Sequence, residues 1–262
     1  MRVETITAAV LVAVLGAGIV EAQAPAGERV TVYAAAVFKD PLTTLAADFE
    51  KASGARVELI FDTAGATEQR FRADPAASVL ITNVALIRTA ETSGALKDGT
   101  SMPLGSTVAA VAVTPGLPKP DVSSPEKLKA ALLAATRVAV SDPARGATVG
   151  THFMKVIDAL GVRDQVMPKV VLSRDGVETM RLVVSKQADL GVSQSSEIVQ
   201  ASADAMAGPF PGEYALTTTF SLWHRHAASQ AVKDFAVLLV GPKGRDELAA
   251  DGIVPAGGPT QR

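Results

Sequence analysis

Apolar residues recur along this chain with two alternating spacings. Four segments place apolar residues three and four positions apart, which predicts amphipathic helices over residues 42–49, 128–135, 153–160 and 232–239. Short apolar runs bounded by turn residues separate them and predict buried strands at residues 78–82, 108–113, 137–140, 169–172 and 189–192. Alternating strands and helices indicate an α/β protein with largely parallel sheets.

Two stretches rich in glycine, proline and polar residues interrupt this pattern, at residues 94–107 and 203–214. We interpret them as two crossings between lobes, and the alternation at 215–222 predicts a further strand after the second. A ligand is then expected in the cleft between the lobes. Lobe one is predicted to comprise residues 28–105 and 208–262, and lobe two residues 106–207.

The N-terminus has the pattern of a secretory leader. Residues 6–20 are apolar throughout, follow Arg2 and are succeeded by small residues, as in a signal peptide. The run is short for a membrane span, although an uncleaved anchor is the alternative. We expect residues 1–22 to be a signal peptide, with cleavage after Ala22 or Ala24, and the mature protein to be periplasmic.

Composition removes several classes of function. The 262 residues carry 25 Lys and Arg against 27 Asp and Glu, a net charge of −2, which argues against a nucleic-acid partner. With 0 Cys there is no disulfide and no thiolate metal site. An aromatic content of 4% makes a stacking platform for sugars or bases unexpected. We predict no cofactor, no metal and a monomeric protein.

Two strand-to-helix switches near the N-terminus suggest a cradle for a small anion. Residues 30–33 lead through small residues into a helix that Asp40 is predicted to cap, and residues 57–61 lead through residues 62–67 into a second helix. A helix start leaves up to four N–H groups without partners and carries a partial positive charge. Ser124 before Pro125 is a further predicted N-cap.

The segment 141–161 repeats this arrangement in the middle of the chain. The strand at 137–140 enters a loop containing Gly146, Gly150 and Arg145, whose planar guanidinium can hold a carboxylate by two hydrogen bonds, unless it is an ordinary solvated loop arginine. Residues 173–177 and 193–196 follow two later strands. They contribute either ligand contacts at the strand ends or plain helix caps.

Enzyme chemistry finds little support in the motifs. The three histidines are His152, His224 and His226, and no P-loop, dinucleotide fingerprint or nucleophile elbow is present. A secreted hydrolase would need Ser141 or Ser193 as nucleophile with His152 as base. We keep that hydrolase, and a sensor that signals to a membrane receptor, as alternatives.

Five segments, taken in order, resemble the periplasmic substrate-binding proteins of ABC importers, in particular the molybdate-binding family. They are VTVYAAAVFKDPLTTLAADFEKASG (30–54), VELIFDTAGAT (57–67), RVAVSDPARGATVG (137–150), QADLGVSQSSEI (187–198) and KDFAVLLVGPKGRDELAADGI (233–253). The resemblance implies a type II two-lobe α/β protein with two hinge crossings that captures a solute and delivers it to a membrane permease.

The chain departs from the pattern of that family at three ligand positions. Molybdate binders typically place serines in the first two turns and a tyrosine after the late strand, where this chain has Val37, Ala64 and Gln194. Arg145, Thr148 and Ser193 are polar groups suited to an organic carboxylate. The expected ligand is therefore a small anion, either an organic carboxylate or a molybdate-like oxyanion. The predicted ligand-binding residues are Ala36, Val37, Thr63, Ala64, Gly65, Arg145, Thr148, Gly176, Ser193 and Gln194.

Overall fold

The computed structural model describes residues 27–257, so the predicted leader lies outside the described residues. The predicted α/β class is confirmed by ten strands and ten α-helices within this range. The strands are β1 (Arg29–Ala35), β2 (Arg56–Asp62), β3 (Val79–Asn83), β4 (Gly99–Val113), β5 (Val138–Ser141), β6 (Val170–Ser173), β7 (Leu190–Gln194), β8 (Met206–Pro209), β9 (Thr217–Arg225) and β10 (Val254–Pro255). The helices are α1 (Lys39–Ser53), α2 (Ala64–Ala73), α3 (Val84–Thr92), α4 (Pro125–Ala134), α5 (Thr148–Ala159), α6 (Arg163–Val166), α7 (Gly176–Val184), α8 (Ser195–Ser202), α9 (Gln230–Val240) and α10 (Pro242–Ala250).

The strands follow the order β2-β1-β3-β9-β4-β7-β5-β6, with β8 and β10 also paired to β4. The outer strands pair in parallel, β2 with β1 and β1 with β3 on one side, and β7 with β5 and β5 with β6 on the other. The central strands β3, β9, β4 and β7 pair antiparallel. Strand β4 changes partners along its length, from β9 up to Val108 to β7 from Ala109 onward.

Two hydrophobic cores lie on either side of this change of partner. We call the part around β1, β2, β3 and β9 lobe one; its core includes the buried rings of Phe38, Phe220 and Phe235. Lobe two, around β5, β6 and β7, has an aliphatic core with few rings. The chain passes between them within β4 and again between Phe210, in the second core, and the start of β9. Both passages leave the ends of the parallel strands facing each other.

Of the two predicted N-caps, Ser124 is confirmed by the structure and Asp40 is not. Ser124 caps α4 as predicted, because its side chain accepts a hydrogen bond from the Lys127 N–H at 3.3 Å. Asp40 is wrong as an N-cap. A 3-10 turn at Ala36–Phe38 runs directly into α1, which begins at Lys39, so Asp40 already lies in the first helical turn. An acidic residue there still favours the positive helix end.

The predicted interruption at 94–107 is wrong in its second half, where β4 runs without a break. The glycines that suggested a loop instead allow close approach. A Cβ on Gly99 would lie 2.2 Å from the Trp223 ring, and one on Gly105 would lie 2.5 Å from the Val254 carbonyl oxygen. Pro103 and Gly105 mark a shift in register against β9, where a proline is tolerated in a strand. Within residues 27–257, no helix is long and apolar enough to cross a membrane.

Candidate functional site

Strand ends from both lobes line a partly open cavity of about 40 Å³. Its wall is built from the turns after β1 and β2 on one side and those after β5, β6 and β7 on the other. The lining residues are Ala35, Ala36, Val37, Asp62, Thr63, Ala64 and Phe220 from lobe one, and Ser141, Ala147, Thr148, Val149, Asp175, Gly176, Gln194 and Glu197 from lobe two. Such a space holds a few water-sized groups, so it suits a ligand of about five heavy atoms.

Lobe one contributes backbone and small side chains. After β1 the chain turns at Ala36 and Val37, which are buried, and after β2 it enters α2 at Ala64. Thr63 caps α2 by accepting a hydrogen bond from the Ala66 N–H at 3.3 Å. The small side chains let the backbone of both turns reach the cavity, as expected from the sequence.

Lobe two contributes two further helix starts. Helix α5 begins at Thr148, and Gly150 in its first turn is obligatory, because a Cβ there would lie 1.9 Å from the Ser141 carbonyl oxygen. Helix α7 begins at Gly176, and Asp175 caps it by accepting from the Glu178 N–H at 2.8 Å. The first turns of α2, α5 and α7 therefore meet at one cavity, and their N–H groups have no intrahelical acceptors.

Among the cavity-lining residues there is no lysine, arginine or histidine. The charged side chains in the lining are all acidic, so the positive contribution of the lining comes from the partial charges of the helix starts. Two of the three acidic residues in the wall are matched by arginines, Asp62 by Arg145 and Arg70, and Asp175 by Arg174. The arrangement can hold a small anion through backbone N–H groups.

Arg145 does not line the cavity. Its guanidinium donates from Nη2 to both carboxylate oxygens of Asp62, at 2.9 and 3.1 Å, and from Nε to the Arg174 carbonyl oxygen at 3.0 Å. Arg145 does contact a carboxylate, but that carboxylate belongs to Asp62 of the opposite lobe, and one nitrogen, Nη2, donates to both of its oxygens in place of the predicted pair of parallel hydrogen bonds. This corrects the sequence interpretation, which could not see that β2 ends in an acid facing the loop of Arg145.

The same loop makes further contacts across the cleft. The Thr63 hydroxyl donates to the Arg145 carbonyl oxygen, and the Gly65 N–H donates to the Gly146 carbonyl oxygen at 3.1 Å. A Cβ on Gly65 would lie 2.8 Å from the Gly146 Cα, so both glycines are needed for this approach. Gly65 is therefore a contact between lobes, and its N–H is already used.

The remaining predicted residues divide into two groups. Ala36, Val37, Thr63, Ala64, Thr148, Gly176 and Gln194 line the cavity together, whereas Gly65, Arg145 and Ser193 do not. The Gln194 side chain accepts from the Thr107 hydroxyl at 2.7 Å and donates to the Thr218 hydroxyl at 3.1 Å. The Ser193 hydroxyl donates to Glu197 Oε2 at 2.5 Å. The hydrogen bonds of both side chains are therefore made to other residues of the protein, Gln194 within the cavity wall and Ser193 behind it.

Glu197 is the ionisable group that the sequence interpretation missed. It is 7% exposed, and burial raises the pKa of its carboxyl to about 7, although hydrogen bonds from Ser193 and the Gln194 N–H lower it in part. The nearby charge of Asp175 adds to the increase. The spacing of Gln194 and Glu197 is that of a capping box at the start of α8, which was the available signal.

The residues of the hydrolase alternative do not form a catalytic pair. The Ser141 hydroxyl lies 3.3 Å from the Thr179 hydroxyl, Ser193 bonds to Glu197, and His152 Nε2 lies 2.7 Å from the Tyr214 carbonyl oxygen. No hydrogen bond in the described part of the chain joins His152 to either serine. Residues 27–257 also contain no cluster of histidine and acidic residues able to hold a metal.

The fold and the site define a two-lobe binding protein of the α/β class. A family model for bacterial extracellular solute-binding proteins matches residues 30–254, and the chain belongs to this family. The predicted membership among the two-lobe substrate-binding proteins is confirmed.

Solved structures of low sequence identity share this fold. The periplasmic molybdate-binding protein of Azotobacter vinelandii superposes with a TM-score of 0.65 at 19% identity, covering 87% of this chain and 98% of the other. A putative phosphate transporter substrate-binding protein of Clostridium perfringens, with bound phosphate, gives 0.67 at 11% identity, covering 87% and 100%.

One curated relative has the name of an enzyme. The aconitate isomerase of a Pseudomonas species is 27% identical over 201 residues, which is 73% of each chain.

Proposed function

We propose that this protein captures a small anion outside the cytoplasm, in the cavity between its lobes, and delivers it to the permease of an ABC importer. The observation that carries the proposal is the convergence of the α2, α5 and α7 starts on one cavity of about 40 Å³. Helix starts supply directed N–H donors and a partial positive charge, so no flexible cationic side chain is needed. The backbone N–H groups of Ala64, Val149 and Gly176 are proposed to donate hydrogen bonds to the anion.

The size of the cavity favours an inorganic oxyanion or a very small carboxylate over a larger organic acid. Room for a few water-sized groups matches a tetrahedral oxyanion of five heavy atoms. The proteins of known structure with this fold include binders of molybdate and phosphate. Arg145, now paired with Asp62, closes the cleft in this proposal rather than holding the ligand.

Thermal-shift screening of protein purified without its leader tests the proposal. The panel contains phosphate, sulfate, molybdate and small mono- and dicarboxylates. An anion present at a hundred times its dissociation constant should stabilise the protein by about 2.7 kcal/mol. Small-angle scattering should then show a smaller radius of gyration with that anion, since the lobes close on it. Failure of the whole panel to stabilise the protein would exclude a small-anion carrier.

A second candidate function is isomerisation of a small unsaturated carboxylic acid. Glu197 favours it, because a buried carboxyl with a pKa of about 7 is suited to remove and return a proton at carbon, and the enzyme-named relative supports it. A tricarboxylate would need more room than the cavity of about 40 Å³ offers, and a larger space of about 490 Å³ also has Thr148 in its lining. Proton NMR of aconitate with the protein in D₂O tests this candidate. Conversion that Glu197→Gln abolishes would establish it.

A further inference from the structure

A groove of about 490 Å³ adjoins the cavity on one side of the cleft. Lobe one lines it with residues of α2 and α3, and lobe two lines it with one face of α5. Thr148, at the start of α5, belongs to the lining of both spaces. A ligand with one end in the cavity can therefore extend past Thr148 into the groove.

Polar residues follow one face of α5 along this groove. Thr148, Thr151, His152 and Lys155 are three, four and seven positions apart from the first, so they lie on the same side of the helix, and all of them line the groove. Thr148 and Lys155 are separated by about 10 Å along the helix axis. Long side chains lean back towards the N-terminus of their helix, so the Lys155 ammonium can lie within about 5 to 10 Å of the cavity.

Lys155 carries the uncompensated charge of the groove. Its ammonium forms no ion pair with any residue between 27 and 257. Glu68, the acidic residue in the lining, is paired with Arg72 at 2.6 Å. The charged side chains in the lining of the cavity itself are all acidic. The groove thus supplies the cation that the cavity lacks.

The wall beside Lys155 is fixed and still has a donor to offer. His152 Nε2 lies 2.7 Å from the Tyr214 carbonyl oxygen, and the His152 ring packs against Phe210 with 5.9 Å between the ring centroids. The Thr148 hydroxyl oxygen accepts from the Asn83 amide at 3.3 Å. A hydroxyl that accepts keeps its own hydrogen for donation, so Thr148 can contact a ligand where the two spaces meet.

We propose that the groove is a second anion subsite, in which Lys155 pairs with the outer anionic group of a ligand whose inner group occupies the cavity. The ligand is then a small organic acid with an anionic group at each end, such as a dicarboxylate of about four to six carbons. This rests on the proposed function, because it presumes that the cavity holds an anion. It extends that function, because the small volume of the cavity limits only the inner group.

Calorimetric titration of the wild-type protein with one-ended and two-ended anions tests the subsite. Acetate and phosphate are the one-ended probes, and malonate, succinate and glutarate carry two carboxylates at increasing separation. Succinate and glutarate should bind at least about fivefold more tightly than acetate, the upper end for an ion pair that water still reaches. Malonate should not share this gain, because its carboxylates are too close together to reach both subsites.

Lys155→Gln should remove the gain. It should weaken succinate and glutarate binding about fivefold and leave acetate and phosphate within about twofold, because salt screens exposed charges over about 10 Å. Lys155→Glu should weaken both dicarboxylates about twenty-five-fold, since reversing the charge doubles the electrostatic change. Lys119→Gln is the matched control, because it removes an exposed lysine of the same lobe that lies outside the lining of the groove.

The outcomes separate the subsite from the proposed function. Succinate and glutarate that bind no more tightly than acetate, or equal affinities for them in Lys155→Gln and Lys119→Gln, would overturn the second subsite and leave anion capture standing. If none of these anions binds the wild-type protein, although circular dichroism shows it to be folded, anion capture in the cavity fails and the subsite fails with it.

Discussion

The two lobes line the cavity with different kinds of chemical group. Lobe one presents Ala35, Ala36, Val37 and Ala64, so its contribution is shape and backbone N–H groups, with Asp62 occupied by Arg145. Lobe two presents hydroxyls, an amide and the buried carboxyl of Glu197. If the cavity binds an anion as proposed, lobe one, whose Thr63 hydroxyl is already used, should contribute little to the choice among anions, whereas the ionisable group of lobe two can contribute.

The largest effect is expected where lobe two has buried its carboxyl. Burial raises the pKa of Glu197 from 4.5 to about 7, so the folded state binds this proton more tightly than the unfolded state. The contribution of Glu197 to the free energy of unfolding is therefore fully present below about pH 4.5, and it is lost progressively as the pH rises towards 7. Glu197→Gln should stabilise the protein at pH 8 by on the order of 3 kcal/mol, since one pKa unit is worth about 1.4 kcal/mol.

Thermal unfolding at about pH 4 and pH 8 measures that gain. An increase in Tm of roughly 6 to 12 °C is expected at pH 8 and almost none at pH 4. Glu178→Gln should show no such gain, because Arg181 holds the pKa of that exposed carboxyl below its usual value. An equal increase in Tm at the two pH values would mean that burial does not raise the pKa of the Glu197 carboxyl.

The next effect concerns the approach of the two faces. Gly65→Ala places a methyl 2.8 Å from the Gly146 Cα and 3.1 Å from its carbonyl oxygen, and both atoms belong to the backbone of lobe two. The lobes must separate by a few tenths of an ångström or more. Ligand affinity should fall at least tenfold, about 1.4 kcal/mol, with little change in the stability of lobe one. Gln69→Ala, an exposed position on the same helix, is the control.

Scattering complements the affinity measurement for Gly65→Ala. With ligand present, the variant should keep a larger radius of gyration than the wild-type protein. A compact variant with unchanged affinity would show that the contact between Gly65 and Gly146 is incidental to closure.

A smaller effect is expected at the ion pair between Arg145 and Asp62. The side chains are 39% and 10% exposed, so solvent weakens their attraction, and a double-mutant cycle should give a coupling energy of about 1 kcal/mol or less. Arg145→Ala should lower ligand affinity less than tenfold for oxyanions and carboxylates alike. Arg145→Lys should recover only part, because one ammonium nitrogen cannot replace both the Nη2 contact with Asp62 and the Nε contact with the Arg174 carbonyl oxygen. A loss of a hundredfold confined to carboxylates would restore Arg145 as a direct ligand.

More of the fold than of the site could be predicted from the sequence. Period and turn residues located β3, β5, β6 and β7 within two residues, because each strand is a short apolar run bounded by polar residues, although β6, at the edge of the sheet, is only partly buried and not buried as predicted. The β4 region was misread, since its glycines make room for Trp223 and Val254, which are distant in sequence. Arg145 was recognised as a carboxylate clamp, but its partner Asp62 lies 83 residues away. Glu197 was not singled out from the sequence, because burial is a property of the assembled lobes and not of a local pattern.

The smallest effect is expected from adding a hydroxyl to lobe one, whose cavity-lining hydroxyl, that of Thr63, already donates to the Arg145 carbonyl oxygen. Val37 lines the cavity at 2% exposure, and its carbonyl oxygen accepts from the Gln200 amide at 2.9 Å, so the backbone at this turn should stay in place. Val37→Ser gives lobe one a donor where molybdate binders typically have a serine. It should tighten sulfate and molybdate binding about threefold to tenfold, the worth of one net hydrogen bond of roughly 1 kcal/mol. Val37→Ala is the matched control, because it removes the same apolar volume without adding the hydroxyl. Calorimetry of the two variants isolates the effect of the oxygen. Equal affinities of the two variants would mean that the side chain at position 37 lies too far from the anion to contribute. The choice among anions would then depend on lobe two alone.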